Sequence, residues 1–162
     1  MYLLVHKKHI TGGIALDIKT IKHCNDFWEL TINYAKDCSW IAGPFLAKQM
    51  RENKFQDWER VFIATDGLKI CGYCTFTKTD CIPDVTYTPY IGYLFVGEEY
   101  RGHRLSEKLI QQVLEYAKIV GFTKVYLVSG EKGLYEKYGF VKIEEKKDFW
   151  GEKEQIFSID IK

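Results

Sequence analysis

Residues 93–140 constrain the fold most, because they carry the pattern of one βαβ unit. An apolar strand over residues 93–96 breaks at a Gly-Glu-Glu-Tyr segment, and an amphipathic helix then runs to Gly121. A second strand follows over residues 124–128. A crossover of this length joins parallel strands of one sheet by a right-handed connection.

The helix is predicted from the spacing of its apolar residues, which recur every three or four positions opposite a charged face. That stripe consists of Leu105, Leu109, Val113, Ala117 and Val120. Gly121 stands where a helix commonly ends in a left-handed conformation. The pattern therefore predicts one long helix packed on the sheet.

The start of this helix could bind a phosphate group. First-turn N–H groups have no partners within the helix, and the helix dipole adds partial positive charge. The amides of residues 102–106 could hold a pyrophosphate, with Arg101 and Arg104 adding charge. A helix that simply begins with solvated arginines is the alternative, because a short glycine-containing turn is a weak signal.

Two motifs in this stretch resemble those of the GCN5-related N-acetyltransferase (GNAT) family. Residues 100–106, YRGHRLS, resemble the family's acyl-CoA pyrophosphate loop, described as Gln/Arg-x-x-Gly-x-Gly/Ala after a strand. Residues 134–140, LYEKYGF, resemble its late motif, in which a tyrosine lies four residues before a Gly-Phe pair. Their occurrence in the family's order, with a strand between them, is more specific than either motif alone.

The sequence departs from the family pattern in three places. Arg104 and Ser106 replace small residues of the loop, and an asparagine common after the second strand is replaced in the Val128-Ser129-Gly130 segment. Glycine is needed where φ is positive, whereas a first-turn residue with helical φ tolerates a side chain. We expect Arg104 to have a helical φ, which a residue with a side chain can adopt. Its presence therefore weakens the match to the motif but does not exclude it.

The resemblance implies an α/β (α+β) fold with a mixed, mostly antiparallel sheet of six to seven strands. A central parallel βαβ unit and helices on both faces belong to that fold. Acetyl-CoA would be the co-substrate, with its pantetheine arm between two splayed strands. The residues implied in binding it are Leu94, Phe95, Val96, Arg101, Gly102, His103, Arg104, Leu105 and Ser106.

The chemistry of acetyl transfer defines two further roles. An alkylamine at neutral pH is only about 10⁻³ to 10⁻⁴ free base, so a general base should help the attack. The leaving thiolate needs a proton, which a phenol can donate. Tyr135 matches the family's acid position, with simple packing as the alternative, and Tyr138 is the second candidate.

The general base has no assignment from the sequence, because residues 85–96 contain no carboxylate. A water chain is one alternative. The remaining candidates are Glu59, Asp80, Asp84, Glu98 and Glu99.

Composition limits the class of protein. At 162 residues with a net charge of +1, the chain is expected to form a single domain over residues 1–162 without a nucleic-acid or polybasic membrane surface. Its apolar runs are shorter than the ~18 residues of a membrane span, and no signal peptide is recognised. We therefore expect a cytoplasmic protein that needs no metal.

Five cysteines include the pair Cys71 and Cys74, whose spacing also occurs in metal and redox sites. They fall within a strand, where residues three apart point to opposite faces. Buried thiols in a reducing compartment are therefore favoured over a catalytic cysteine.

The remaining chain predicts the other elements. A strand is expected over residues 14–18, a helix from Asn25 or Asp26 to Lys36, and a second helix over residues 44–52. Strands over residues 58–64 and 69–77 form a hairpin around Asp66-Gly67. Strands over residues 141–145 and 155–161 form a terminal antiparallel pair.

Three parts of the chain have two interpretations each. The loop over residues 78–89 is either an acceptor-binding lid or a solvated connector. Aromatic residues of the first two helices and the tyrosines near the loop either pack in the core or line a substrate cleft. These residues are Trp28, Tyr34, Trp40, Phe45, Tyr87, Tyr90 and Tyr93.

Three functions are compared on these observations. The first is acetyl transfer from acetyl-CoA to a primary amine of a small molecule or peptide, and the second is a non-catalytic acyl-CoA-binding or sensing module. A Rossmann-like nucleotide binder is disfavoured, because no second βαβ repeat or ribose-binding acid follows. The sequence leaves the oligomeric state open, with a homodimer among the states compatible with it.

Overall fold

The computed structural model describes residues 9–11 and 14–162, with side chains described from Leu16 onward. Two strands are followed by two helices, three strands, and then a helix, a strand, a short helix and two final strands. The strands are β1 (His9–Thr11), β2 (Ile14–Ile21), β3 (Arg60–Asp66), β4 (Lys69–Thr77), β5 (Tyr90–Val96), β6 (Lys124–Ser129), β7 (Val141–Lys147) and β8 (Lys153–Asp160). The helices are α1 (Trp28–Asp37), α2 (Gly43–Arg51), α3 (Leu105–Val120) and α4 (Leu134–Lys137), with a 3-10 turn at Glu98–Tyr100.

The strands form one mixed sheet in the order β1-β2-β3-β4-β5-β6-β8-β7. All neighbouring pairs are antiparallel except β5 and β6, which α3 connects in parallel. This confirms the predicted mostly antiparallel sheet with a central βαβ unit. The described strands contain no second parallel pair, as a Rossmann-like sheet would require. The count exceeds the expected six to seven because the three-residue β1 is too short to show a strand pattern.

Two hydrophobic clusters cover the two faces of the sheet. On one face, which we call the α3 face, α3 and α4 pack on the sheet through buried residues such as Leu109, Val113 and Tyr135. On the other, the α1–α2 face, buried residues such as Ile32, Leu46 and Tyr73 form the second cluster. Helices therefore lie on both faces, as expected.

Strands β5 and β6 diverge soon after they meet. They pair only at Tyr90–Tyr126 and Ile91–Leu127, and both strands are described over their full length. On its other edge, β5 contains a bulge against β4, where Tyr93 adopts a φ of +46°. Beyond Ile91 the edge of β5 that faces β6 is therefore not hydrogen-bonded to that strand.

The hairpin is confirmed, since β3 and β4 pair in antiparallel around Asp66-Gly67. Helix α1 starts later than predicted. Its N-cap is Phe27, without a side-chain cap, and Asn25 Oδ1 instead accepts a hydrogen bond of 2.9 Å from the Phe27 amide.

The expectation that Cys71 and Cys74 point to opposite faces is wrong. Both side chains belong to the α3-face cluster. The register of β3 against β4 shifts between Ala64 and Thr65, and Cys71 is the extra residue of that bulge. A bulge breaks the two-residue alternation of a strand.

Candidate active site

A cleft of about 1300 Å³ opens where β5 and β6 diverge. Residues 91–96 form one wall, and residues 127–131 form the opposite wall. Residues 79–81 of the β4–β5 loop and residues 148–150 of the β7–β8 turn close its sides. The loop over residues 78–89 therefore contributes to the cleft rather than acting only as a solvated connector.

The cleft brings together six of the ten residues that the sequence singled out. These six residues are Leu94, Phe95, Val96, Arg101, Ser106 and Tyr135. The side chain of Leu105 is instead 2% exposed in the α3-face core. Gly102, His103 and Arg104 lie in the adjacent turn without lining the cleft.

The turn before α3 has a backbone that the sequence did not predict. Arg104 is the N-cap of α3 and has a φ of +56°, in the left-handed region. Its exposed guanidinium pairs with Glu107, with Nε 2.6 Å from Oε2. The expectation of helical φ at Arg104 is therefore wrong, and its side chain is held by its own helix.

Arg101 lies across the end of β5. Its Nε donates a hydrogen bond of 3.2 Å to the carbonyl of Val96, and its guanidinium carbon is 5.9 Å from the centre of the Phe95 ring. The side chain remains exposed at the edge of the cleft. It is thus a cation that the strand itself orients at the mouth of the cleft.

Tyr135 extends from α4 into the cleft and is 7% exposed. Burial raises the pKa of its hydroxyl, an effect that the nearby Ser129 side chain partly offsets. Tyr138 has another partner, because its hydroxyl lies 3.0 Å from Ser106 Oγ. A phenol with a raised pKa stays protonated over a wider pH range and so keeps a proton to donate.

Asp80 is the carboxylate that burial perturbs most clearly in this cleft. Burial raises the pKa of Asp80 to about 6, although the Cys81 amide, which donates to Asp80 Oδ1 at 2.6 Å, opposes the rise. The sequence named Asp80 only as one of several acids. The nearest sequence signal was its place in a long loop between two strands, which does not single out one acid.

The aromatic candidates divide between core and cleft. Trp40 and Tyr93 line the cleft, and Trp40 stacks on Phe95 with ring centres 6.0 Å apart. Trp28 is buried in the α1–α2 core, and Phe45 is exposed away from the cleft.

The other tyrosines have partners elsewhere. Tyr34 packs in the α1–α2 cluster, Tyr90 is 1% exposed, and Tyr87 donates a hydrogen bond to Glu144. Of the tyrosines near the loop, Tyr93 alone lines the cleft.

The sequence missed the aromatic pair in the β7–β8 turn. Phe149 and Trp150 are 66% and 71% exposed, and both line the cleft. The Phe149 amide donates a hydrogen bond of 3.0 Å to the Cys81 carbonyl, which joins this turn to the β4–β5 loop. Two adjacent aromatic residues in a predicted turn were the sequence signal that could have identified them.

The cysteines have the properties of structural thiols. All five are free, and burial raises the pKa of both Cys71 and Cys74. In the described part of the chain no three His, Cys, Asp or Glu side chains are grouped to bind a metal ion. Among the same residues, no helix combines the length and apolar character of a bilayer span.

Solved structures with the same fold are numerous. A protein from Desulfovibrio desulfuricans described as a GNAT-family acetyltransferase has a TM-score of 0.70 and 15% identity, covering 91% of this chain and all of that one. A GNAT acetyltransferase from Elizabethkingia anophelis, solved with acetyl-CoA, has a TM-score of 0.62 and 15% identity, covering 90% and 97%. An aminoglycoside 6'-N-acetyltransferase solved with coenzyme A has a TM-score of 0.66 and 14% identity, with the same coverage.

At these identities the structural likeness shows the fold alone. A search by sequence found no match among curated proteins. The sequence model of the acetyltransferase (GNAT) family matches residues 25–140, which is most of the chain and includes both motifs. The chain therefore belongs to the GNAT family of acetyltransferases, which transfer acetyl groups from acetyl-CoA.

Proposed function

We propose that this enzyme transfers the acetyl group of acetyl-CoA to a primary amine of a small molecule or peptide by direct attack. The observation that carries the proposal is the divergence of β5 from β6 after two paired positions. The resulting cleft reaches from Arg101, in the turn before α3, to Tyr135 of α4.

The donor half of the cleft suits an acyl-CoA. The amides of residues 102–106 would hold the pyrophosphate at the start of α3, a helix of 16 residues. Arg101 would add a guanidinium beside the phosphates. The pantetheine arm would lie along the open edge of β5 at Leu94, Phe95 and Val96, pairing with its backbone as an added strand does.

Tyr135 would act as the general acid. As the C–S bond breaks, the hydroxyl would protonate the departing sulfur of CoA. Support comes from its burial in the cleft wall and from its raised pKa, which keeps the hydroxyl protonated. Tyr138 is less suited, because its hydroxyl already bonds to Ser106.

The acceptor would bind as a cation. Asp148 and Glu154 line the cleft near the β7–β8 turn, and Glu98 and Glu131 line it elsewhere. Arg101 is the one Lys or Arg among the described residues that line it. Structural neighbours include a spermidine N-acetyltransferase from Vibrio cholerae and the aminoglycoside enzyme, which supports testing polyamines and aminoglycosides first.

We further propose that residues 1–162 form a single domain and that the enzyme works in the cytoplasm. The first proposal is supported by the continuous order of the described strands in one sheet. The second is supported by five free thiols, which a reducing compartment preserves.

The test measures thiol release from acetyl-CoA with spermidine, kanamycin, tyramine and a lysine-containing peptide. We expect amine-dependent release of CoA thiol with at least one acceptor, and mass spectrometry should find the acceptor heavier by one acetyl group. Calorimetry with CoA alone measures the donor site separately. CoA binding without turnover across a wide amine panel would instead favour the acyl-CoA-binding or sensing module.

A further inference from the structure

We propose that Asp80 is the general base of this enzyme, accepting the proton of the amine from the face of the sheet opposite Tyr135. This inference rests on the proposed acetyl transfer. It assigns a general base, which β5, the strand before the proposed pyrophosphate loop, does not supply because it contains no carboxylate. Asp80 comes from the β4–β5 loop and lines the same cleft as Tyr135.

Gly92 leaves the space that Asp80 occupies. Gly92 is the first residue of β5 beyond the last pair with β6, so it lies where the cleft begins. A β-carbon at Gly92 would stand 3.2 Å from Asp80 Oδ2 and 3.0 Å from Thr75 Oγ1. The absence of a side chain at this position therefore lets a carboxylate reach the point where the two strands separate.

Asp80 and Tyr135 line the cleft from opposite faces of the sheet. Tyr73 packs in the α1–α2 cluster, and Thr75, two residues further along β4 where that strand pairs regularly with β3, points to the same face. Gly92 pairs with Thr75, and a β-carbon at Gly92 would lie beside both Thr75 Oγ1 and Asp80 Oδ2, so the Asp80 carboxylate lies on that face too. Tyr135 belongs to the α3-face cluster. A thioester held between the strands would thus have a base on one side and an acid on the other.

One hydrogen bond holds the Asp80 carboxylate, and a second anchors the loop that carries it. Its Oδ1 accepts the 2.6 Å hydrogen bond from the Cys81 amide, while the Cys81 carbonyl accepts the 3.0 Å bond from Phe149. Since Oδ1 makes the bond to the Cys81 amide, Oδ2 is the oxygen on the side of Gly92. A base on a loop tied to the β7–β8 turn has a defined position before the acceptor binds, which favours catalysis.

The groups around Asp80 shift its pKa toward neutral pH. Burial is the main cause of its raised pKa, and the Glu154 carboxylate raises it further. From the neighbouring strands and turn, the groups facing it are Tyr90, Tyr93, Cys81 and Glu154, and burial raises the pKa of each. None of these groups is a cation. A base with a pKa of about 6 is ionised at neutral pH and still accepts a proton effectively.

The proton balance of the step follows from the chemistry. The acceptor arrives as an ammonium and loses one proton to Asp80, which passes it to water. The nitrogen lone pair forms the C–N bond to the thioester carbon, the C–S bond breaks, and Tyr135 gives its proton to sulfur. The remaining extra nitrogen proton is lost to water, which also reprotonates Tyr135. One ammonium and one thioester yield one amide, one thiol and one proton.

The test compares Asp80→Asn with Asp84→Asn, using acetyl-CoA and the best acceptor of the amine panel. Asp84 is an exposed acid of the same loop that does not line the cleft, so it provides a matched control. We expect Asp80→Asn to lower kcat by roughly 10²-fold or more, as removal of a general base does. Affinity for CoA should not change, and Asp84→Asn should retain wild-type turnover.

The pH profile and the stability separate a chemical role from a structural one. In the wild-type enzyme, kcat/KM should fall more steeply as the pH drops below about 6, and Asp80→Asn should lose that break. Because the folded protein raises the pKa of Asp80, the folded state favours its protonated form. Removing its charge should therefore leave the Tm at neutral pH unchanged or higher.

Three results would overturn the assignment. The first is Asp80→Asn with wild-type kcat, and the second is a wild-type profile without a break near the pKa of Asp80. The third is a joint loss of Tm and CoA affinity in Asp80→Asn, which would make Asp80 a structural residue. If the wild-type enzyme turns over no amine, the proposed acetyl transfer itself fails, which is a distinct result.

Discussion

The hydroxyl groups of Ser106 and Tyr138 lie 3.0 Å apart and join the first turn of α3 to the end of α4. Ser106 stands in the proposed pyrophosphate loop, and Tyr138 lies three residues after Tyr135. The bond therefore connects the region proposed to hold the CoA phosphates with the short helix that carries the proposed acid. It also distinguishes the two tyrosines, since the hydroxyl of Tyr138 is used within the protein.

Replacing Tyr138 with phenylalanine should affect stability more than chemistry. The variant Tyr138→Phe loses one partly buried hydrogen bond, which we expect to lower the free energy of unfolding by about 0.5–1.5 kcal/mol. Its kcat should stay close to that of the wild type. Urea unfolding and steady-state acetyl transfer measure the two effects, and a large loss of kcat at unchanged stability would make Tyr138 the acid instead.

Replacing Tyr135 with phenylalanine should give the opposite result. The variant Tyr135→Phe keeps the buried ring but lacks the proton donor, so kcat should fall by roughly 10²-fold or more. The CoA dissociation constant should stay near that of the wild type, because no phosphate contact is lost. Calorimetry and thiol release on the same preparation test both statements. Undiminished turnover would remove Tyr135 from the mechanism.

The pH dependence of kcat should reflect the buried hydroxyl of Tyr135. Burial raises its pKa above the ordinary value of 10.0, so the donor form persists to higher pH than for an exposed tyrosine. The wild-type kcat should therefore show no alkaline fall until the pH exceeds 10.0. A stopped assay over the alkaline range, on protein shown to remain folded, provides the measurement. An alkaline limb centred near neutrality would show that another group limits the reaction.

The parts of the fold that the sequence predicted depend on local chemistry. The β3–β4 hairpin follows from Asp66-Gly67, because Gly67 has the positive φ of +61° that such a turn uses. Helix α3 follows from its apolar stripe, and it ends at Gly121 with a φ of +109°. These signals lie within a few residues of the feature that they specify.

The parts that were missed depend on contacts between distant residues. The bulges at Cys71 and Tyr93 arise from register with neighbouring strands, which a single strand pattern does not encode. Asp80 becomes distinctive only through Gly92 of another strand and through burial in the folded protein. Residue types and motif spacing could therefore indicate the proposed donor site, whereas the candidate base required the tertiary structure.

The close approach of β4 to β5 predicts a severe effect of Gly72→Ala. A β-carbon at Gly72 would stand 2.7 Å from the carbonyl oxygen of Phe95, which is a backbone atom and cannot rotate away. Relief requires β5 to shift, so we expect the free energy of unfolding to fall by about 1–3 kcal/mol. Chemical denaturation measures it.

A matched glycine makes the comparison specific to that contact. At Gly130 the nearest atom to an added β-carbon is Glu154 Oε2 at 3.5 Å, an ordinary contact with a side chain. The variant Gly130→Ala should therefore be clearly more stable than Gly72→Ala. Equal stability of the two variants would show that β5 accommodates the extra atom. The close contact between Gly72 and the Phe95 carbonyl would then not be what fixes the position of β5 in the cleft wall.

Arg104 provides a test of backbone strain at the proposed pyrophosphate loop. A non-glycine residue with left-handed φ costs roughly 1–2 kcal/mol, and Arg104 has a φ of +56°. Arg104→Gly should relieve that cost, whereas Arg104→Ala retains it. Both variants lose the same exposed ion pair with Glu107, which contributes little to stability. The difference between their free energies of unfolding therefore reports the conformational preference of the backbone at residue 104. Arg104→Gly should unfold at the higher urea concentration, and a more stable Arg104→Ala would mean that the turn is not strained at this residue.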